Sequence, residues 1–101
     1  MPYNIKLDPE VYSEIQNAVN YYNKIDPNLG ERFLLVLNDY IDHLISNPFY
    51  QIKYDNIRCL YIKPFPYLIH YLAIEKTNIV RILAVINASK NPEKWPKDII
   101  N

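Results

Sequence analysis

Three side chains in the second half of the chain have the chemistry of acid–base catalysis or anion binding. They are Arg58, His70 and Lys90. A general acid or base transfers a proton, and cations stabilise negative charge that develops on oxygen atoms. An imidazole, a guanidinium and an ammonium group could fill these roles, so the three residues are the catalytic candidates.

Two of these candidates, His70 and Arg58, also have a structural interpretation. His70 lies in the apolar run Tyr67–Ile74, where a histidine more often packs in a strand than takes part in catalysis. Arg58 could pair with a carboxylate across a sheet or reach a ligand, and the sequence leaves both alternatives open. The other histidine, His43, follows Asp42 in an amphipathic run and is interpreted as a helix-surface residue.

Composition restricts the classes of function. The chain has 101 residues, of which 50% are hydrophobic, and this favours one compact domain over residues 1–101. One glycine and one cysteine leave no Gly-rich phosphate loop, disulfide framework or thiolate metal cluster, so we expect no cofactor and no metal. The 11 basic residues balance the 11 acidic ones, so no net charge attracts nucleic acid.

The N-terminal half predicts a strand followed by two helices. Alternation from Tyr3 to Leu7 is typical of a short strand, and Asp8 is expected to cap a helix that begins with Pro9. After a break at residues 26–28, a second helix is expected to end at Asn47. Apolar residues recur at helical spacing in both segments: Val11, Ile15, Ala18, Tyr22 and Ile25, then Phe33, Leu37, Ile41, Leu44 and Ile45.

The remainder of the chain predicts strands. Residues 58–62, Tyr67–Ile74 and Ile79–Asn87 are rich in the Ile, Val, Tyr and Leu that strands favour. The predicted order is therefore β-α-α-β-β-β. Residues 92–100 are expected to start a short terminal helix or an extended arm.

Two sequence runs resemble the RelE/ParE superfamily of bacterial type II toxins. Residues 56–71 read NIRCLYIKPFPYLIHY and residues 79–95 read IVRILAVINASKNPEKW. The resemblance implies an α+β fold, in which an antiparallel helical hairpin packs on a small, mainly antiparallel sheet. It also shows departures, because Leu68, Asn87 and Lys90 stand where many relatives carry Arg, His and Arg.

These departures bear on which branch of the superfamily the chain resembles. Leucine cannot contact an anion, and an amide at position 87 does not titrate near neutral pH. The resemblance therefore favours a ParE-like, plasmid-stabilisation type of toxin, which inhibits a DNA topoisomerase such as gyrase by binding it. Two alternatives stay open: a RelE-like ribosome-dependent mRNA endonuclease, and a degenerate member that only binds a partner. Whether the chain is an enzyme is therefore left open.

The resemblance also implies protein partners. A cognate antitoxin would wrap an extended segment around the domain, and the expected receiving surface includes Leu34, Val36 and Tyr40. Arg81 and Trp95 are further candidates for partner contact, and a homodimer is left open. Without a signal segment or an apolar run of about 18 residues, we expect a cytoplasmic protein with no membrane contact.

Overall fold

The structure, a computed structural model, describes residues 2–97 and confirms the predicted succession of elements, with one strand added. The elements are β1 (Asn4–Leu7), α1 (Pro9–Ile25), α2 (Leu29–Ser46), β2 (Ile52–Tyr54), β3 (Ile57–Tyr61), β4 (Tyr67–Ile74), β5 (Ile79–Asn87) and a 3₁₀ turn (Pro92–Lys94). The predicted limits of β4 and β5 match those observed, whereas β3 begins and ends one residue earlier than predicted. Residues 98–100 of the predicted terminal segment lie outside the described residues.

The five strands form one mixed sheet in the order β1-β5-β4-β3-β2. β1 runs parallel to β5, and every other neighbouring pair is antiparallel. The helical hairpin connects β1 to the far end of the sheet, and the chain then returns strand by strand until β5 lies beside β1. This arrangement confirms the α+β fold expected from the resemblance. Neither helix is long and apolar enough to cross a lipid bilayer.

The apolar stripes of both helices pack on one face of the sheet. Val11 and Phe33 are fully buried there against Ile69 and Ile82. Four aromatic rings close one end of this core, with centroid distances from 4.9 Å for Tyr22–Phe65 to 6.1 Å for Tyr22–Tyr67. Burial of such rings provides much of the hydrophobic free energy of a small domain.

The predicted cap of α1 is wrong in one respect. Asp8 occupies the N-cap position in extended conformation, but its side chain makes no capping hydrogen bond. Both carboxylate oxygens instead accept hydrogen bonds from the Arg81 guanidinium, at 2.7 and 2.9 Å. A bidentate ion pair with arginine is stronger than a single hydrogen bond to a backbone N–H. Asp8 therefore connects the junction between β1 and α1 to β5.

The additional strand β2 was not predicted, because its three residues are too few to show a period. It pairs with β3 across a two-residue turn, in which Asp55 and Asn56 have φ of 53° and 103°. Such turns favour Asp, Asn and Gly, since these residues tolerate positive φ. The Asp-Asn pair was therefore the available sequence signal for this hairpin.

Gly30, the chain's single glycine, lies where the two helices approach closely. Its backbone N–H donates to the side-chain Oδ1 of Asn23 at 3.1 Å, so a residue of α1 caps the start of α2. A β-carbon at position 30 would lie 2.2 Å from that oxygen. The glycine thus allows the cap to form.

We predict that Gly30→Ala lowers the free energy of unfolding by about 1–3 kcal/mol, because the new methyl group displaces Asn23 and leaves a buried N–H without its acceptor. Urea unfolding measures this change. In an Asn23→Ala background the clash is absent, so the same substitution should cost much less there. Equal costs in the two backgrounds would contradict the assignment.

Candidate functional site

The face of the sheet opposite the helices carries a second, smaller apolar cluster. Its buried members are Ile57, Leu72 and Leu83, with Tyr54 and Ile74 packed against them. The chain after β5 crosses back over this face and brings Trp95 and Pro96 onto it. This C-terminal segment, residues 90–97, therefore covers the side of the sheet that the helices leave open.

His70 lies beneath the C-terminal segment and is fully buried. Its Nδ1 is 3.1 Å from the Tyr54 hydroxyl oxygen and 3.3 Å from the Cys59 sulfur. The Tyr54 hydroxyl donates its one proton to the carbonyl of Pro96 at 2.7 Å, so Nδ1–H is placed to donate to the same hydroxyl oxygen. The Trp95 ring packs 5.1 Å from the imidazole, centroid to centroid.

The imidazole is neutral at physiological pH. Burial lowers the pKa of His70 to about 4, because the charged form loses its hydration. Burial likewise raises the pKa of the Cys59 thiol to about 11, which keeps it protonated. Among the described residues Nε2 of His70 has no hydrogen-bond partner. The His70 side chain can hold the C-terminal segment in place through Tyr54 and Trp95. Proton transfer from His70 to a bound substrate would require Trp95 to move.

Arg58 lies on the other face of the sheet from His70. Cys59 pairs with His70 across β3 and β4, and Arg58 pairs with Tyr71, so strand alternation directs their side chains apart. The Arg58 guanidinium donates to the carbonyl of Tyr50 and lies 5.3 Å from the centre of the Phe49 ring. The Arg58 guanidinium thus contacts a backbone oxygen and an aromatic ring.

Lys90 lies in the exposed turn that follows β5. Its carbonyl accepts a hydrogen bond from the Trp95 indole at 3.2 Å, and its ammonium charge acts on the nearby Glu14 carboxyl. The structure therefore does not bring the three catalytic candidates together. His70 is buried on one face, Arg58 lies on the opposite face, and Lys90 lies at the rim.

The two departures at positions 68 and 87 have structural roles. Leu68 is half-buried opposite Ile86 in the β4–β5 pair. The Asn87 side chain accepts from the backbone N–H of Ser89 at 2.9 Å and from its hydroxyl at 2.7 Å. This side-chain turn stops the strand, as asparagine commonly does.

A cleft of about 390 Å³ opens beside β5, between the first turns of α1 and the C-terminal segment. One wall carries Glu10 and Glu14, and the other carries Lys90, Lys94 and Lys97. Glu14 was not predicted as a site residue, because its position on the flank of the apolar stripe gives no separate signal. Tyr54 was not predicted either, since a single tyrosine in a three-residue strand has no distinguishing pattern.

The predicted partner-contact residues are distributed over three places. Val36 and Tyr40 are half-buried against the main core, whereas Leu34 is 36% exposed on another flank of α2. Arg81 is paired with Asp8, and Trp95 is half-buried on His70. The most exposed apolar side chains of the helical hairpin are Tyr12, Leu35, Ile25 and Tyr21. Ile25 was expected to belong to the apolar stripe of α1, but it is 61% exposed. Within residues 2–97, no three His, Cys, Asp or Glu side chains form a metal-binding group.

Comparison with solved structures identifies the fold. A chain of the chromosomal ParDE TA system from P. aeruginosa superposes with a TM-score of 0.72 at 11% identity, over 84% of this chain and 95% of that one. The E. coli toxin RelE, a mutant in the free state, superposes with a TM-score of 0.62 at 15% identity, over 88% and 86%. The chain thus has the RelE/ParE fold, as the sequence resemblance implied. No protein-family model and no curated protein sequence matches it.

We predict that the free energy of unfolding falls as the pH is lowered from 6.5 to about 4, because in this window the unfolded chain binds a proton that buried His70 does not. The full loss is about 3 kcal/mol. Chemical unfolding at a series of pH values measures it.

The control for this pH dependence is His43, the exposed histidine of α2. His43→Gln should keep the loss, and His70→Gln should remove it whatever its effect on overall stability. Glu14 acts in the opposite direction, since burial raises the pKa of its carboxyl and the folded chain takes up that proton first. The His70 contribution is therefore the difference between the wild-type and variant profiles. Parallel profiles would contradict a neutral, buried His70.

Proposed function

We propose that the chain, as a single domain over residues 1–101, is the toxin of a bacterial type II toxin-antitoxin system and acts in the cytoplasm. It inhibits a DNA topoisomerase by binding and is neutralised by a cognate antitoxin. The support for a toxin is the RelE/ParE fold, shared with a ParDE system and with RelE. Fold alone does not define activity, which depends on the side chains of the site.

The observation that favours binding over RNA cleavage is the burial of His70. General acid–base catalysis requires a group with a pKa near the working pH and within reach of the substrate. His70 is covered by Trp95, and its pKa is lowered to about 4, so it meets neither requirement. Arg58 and Lys90 lie elsewhere. A toxin that acts by protein contact needs none of these groups.

We predict that expression of the chain alone in a bacterial host arrests growth and that DNA synthesis fails before protein synthesis. Pulse labelling with thymidine and with an amino acid measures the order. His70→Gln and Lys90→Ala should retain toxicity at wild-type expression levels, because neither side chain has a catalytic role. Early loss of protein synthesis, abolished by Lys90→Ala, would instead support an mRNA endonuclease. Unimpaired growth would indicate a family member that only binds a partner.

We further propose that the antitoxin contacts the exposed apolar side chains of α2. Leu34 and Leu35 are 36% and 64% exposed, and an apolar patch on a helix is a common docking surface for a segment that folds on binding. Tyr40, also expected to contact the antitoxin, is half-buried in the core, so its replacement by a charge would test folding as well as binding.

We predict that Leu34→Glu combined with Leu35→Glu weakens antitoxin binding at least about 10-fold. The reason is that two leucines that the bound antitoxin would bury are replaced by charged residues. The binding partner for this test is the product of a small reading frame beside the gene, and titration calorimetry measures the affinity. Asn38→Glu adds charge to the same helix without removing apolar area and serves as the control. Unchanged affinity in the folded double variant would reject this surface.

A further inference from the structure

The C-terminal segment covers a fully buried side chain, although none of residues 90–97 is itself buried. Residues 90–94 and Lys97 are exposed, and Trp95 and Pro96 are half-buried. His70 lies against the Trp95 ring and has no exposed surface. A segment with little burial of its own thus helps to keep an imidazole away from water.

The segment can leave the sheet without disrupting it. The backbone N–H groups of Lys94 and Trp95 donate to carbonyls inside the segment, at 2.8 and 3.1 Å, so these bonds do not attach it to the sheet. Attachment comes from the Tyr54 hydroxyl, which donates to the Pro96 carbonyl at 2.7 Å, and from the contacts of the Trp95 ring. Parts of a protein with few buried contacts open at a lower free energy than the core.

The start of the segment is fixed independently of His70. The Ala88 backbone N–H donates to the Pro66 carbonyl at 2.7 Å, and the Asn87 side chain holds the turn at Ser89. These bonds remain when the residues that follow move. The point of release therefore lies after Ser89, and β5 keeps its place.

The imidazole of His70 couples this release to pH. In the closed structure Nδ1 faces the Tyr54 hydroxyl and the Cys59 sulfur, and within the described chain Nε2 has no hydrogen-bond partner. A proton on Nε2 would create a buried charge with an unpaired N–H, which is costly. Once the segment moves away, water can hydrate the imidazolium and accept this hydrogen bond. Protonation therefore favours the released state.

The described groups that face the imidazole are uncharged. β2 presents the Tyr54 hydroxyl, β3 the Cys59 thiol, β5 places Ala84 opposite His70, and the C-terminal segment presents Trp95. Burial raises the pKa of both the hydroxyl and the thiol, so both stay protonated, and burial lowers the pKa of His70. The charged side chains of the C-terminal segment are exposed: Lys90, Glu93, Lys94 and Lys97.

We propose that the C-terminal segment is an acid-released strap, which leaves the sheet when His70 takes up a proton. The released state binds this proton more tightly than the closed one, so release is suppressed above pH 6.5 and is favoured as the pH falls towards 4. The inference concerns side chains that topoisomerase inhibition does not use. It therefore stands whether or not the chain is a toxin.

Hydrogen exchange of the full chain, followed by NMR from about pH 7.5 to about pH 4, tests this proposal. The amides of Lys94 and Trp95 should lose about 10- to 100-fold of their protection, measured against the rates of an unstructured chain. At each pH they should exchange at least about 10-fold faster than the amides of the β4–β5 pair, because the sheet stays folded. Protection that is constant with pH would overturn the proposal. So would equal rates in the segment and the sheet, since release would then require global unfolding.

His70→Gln should abolish the pH dependence of the Trp95 amide, whereas His43→Gln should keep it. A dependence that survives His70→Gln would overturn the proposal. The wild type offers a second measurement that needs no variant. The loss of protection should end at the pH where the His70 ring resonances titrate, and an end point elsewhere would assign the release to another group.

Asn91→Ala tests the opening without touching His70. The Asn91 side chain accepts from the Glu93 backbone N–H at 3.0 Å and so caps the 3₁₀ turn of the segment. Its removal should speed exchange of the Trp95 amide about 3- to 10-fold at every pH and leave the pH dependence intact. Unchanged exchange in this variant would contradict a segment that opens as a unit.

Discussion

Burial of β5 on both faces is the constraint on which the rest of the structure depends. Six of its nine residues are buried, including the consecutive run from Ile82 to Ile86, and consecutive residues of a strand point to opposite faces. A strand of this composition is stable only if both faces are covered. The helical hairpin covers one face. The C-terminal segment, held by Trp95 and Pro96, covers the other.

The same constraint determines what the polar side chains can do. His70 is adjacent to β5 on the face that the C-terminal segment covers, so it loses its water and stays neutral. Tyr54 connects it to the backbone of that segment. At the edge of the same strand, Arg81 is held by Asp8 and the Val85 N–H by Glu14. Groups that could carry out chemistry on an open sheet are here engaged in holding β5.

Periodicity predicted the elements well because apolar spacing records which face is buried. The stripe of α1 and the long runs of β4 and β5 are of this kind. β2 is too short to have a period, and the Asp8–Arg81 pair joins residues far apart in the sequence. The candidate site was predicted less well, because its geometry depends on residues that are distant in the sequence. Residue types nominated Arg58, His70 and Lys90, but strand alternation and the path of the C-terminal segment place them apart, and neither is encoded in local spacing.

The low identity to proteins of the same fold separates what the fold requires from what a function requires. At 11% and 15% identity the fold is retained, so it does not depend on the identity of most individual residues. Function then depends on groups that the fold leaves exposed. In this chain the exposed groups include Leu34 and Leu35 of α2 and Lys90, Lys94 and Lys97 of the C-terminal segment. Apolar area and charge of this kind are suited to contact with another protein.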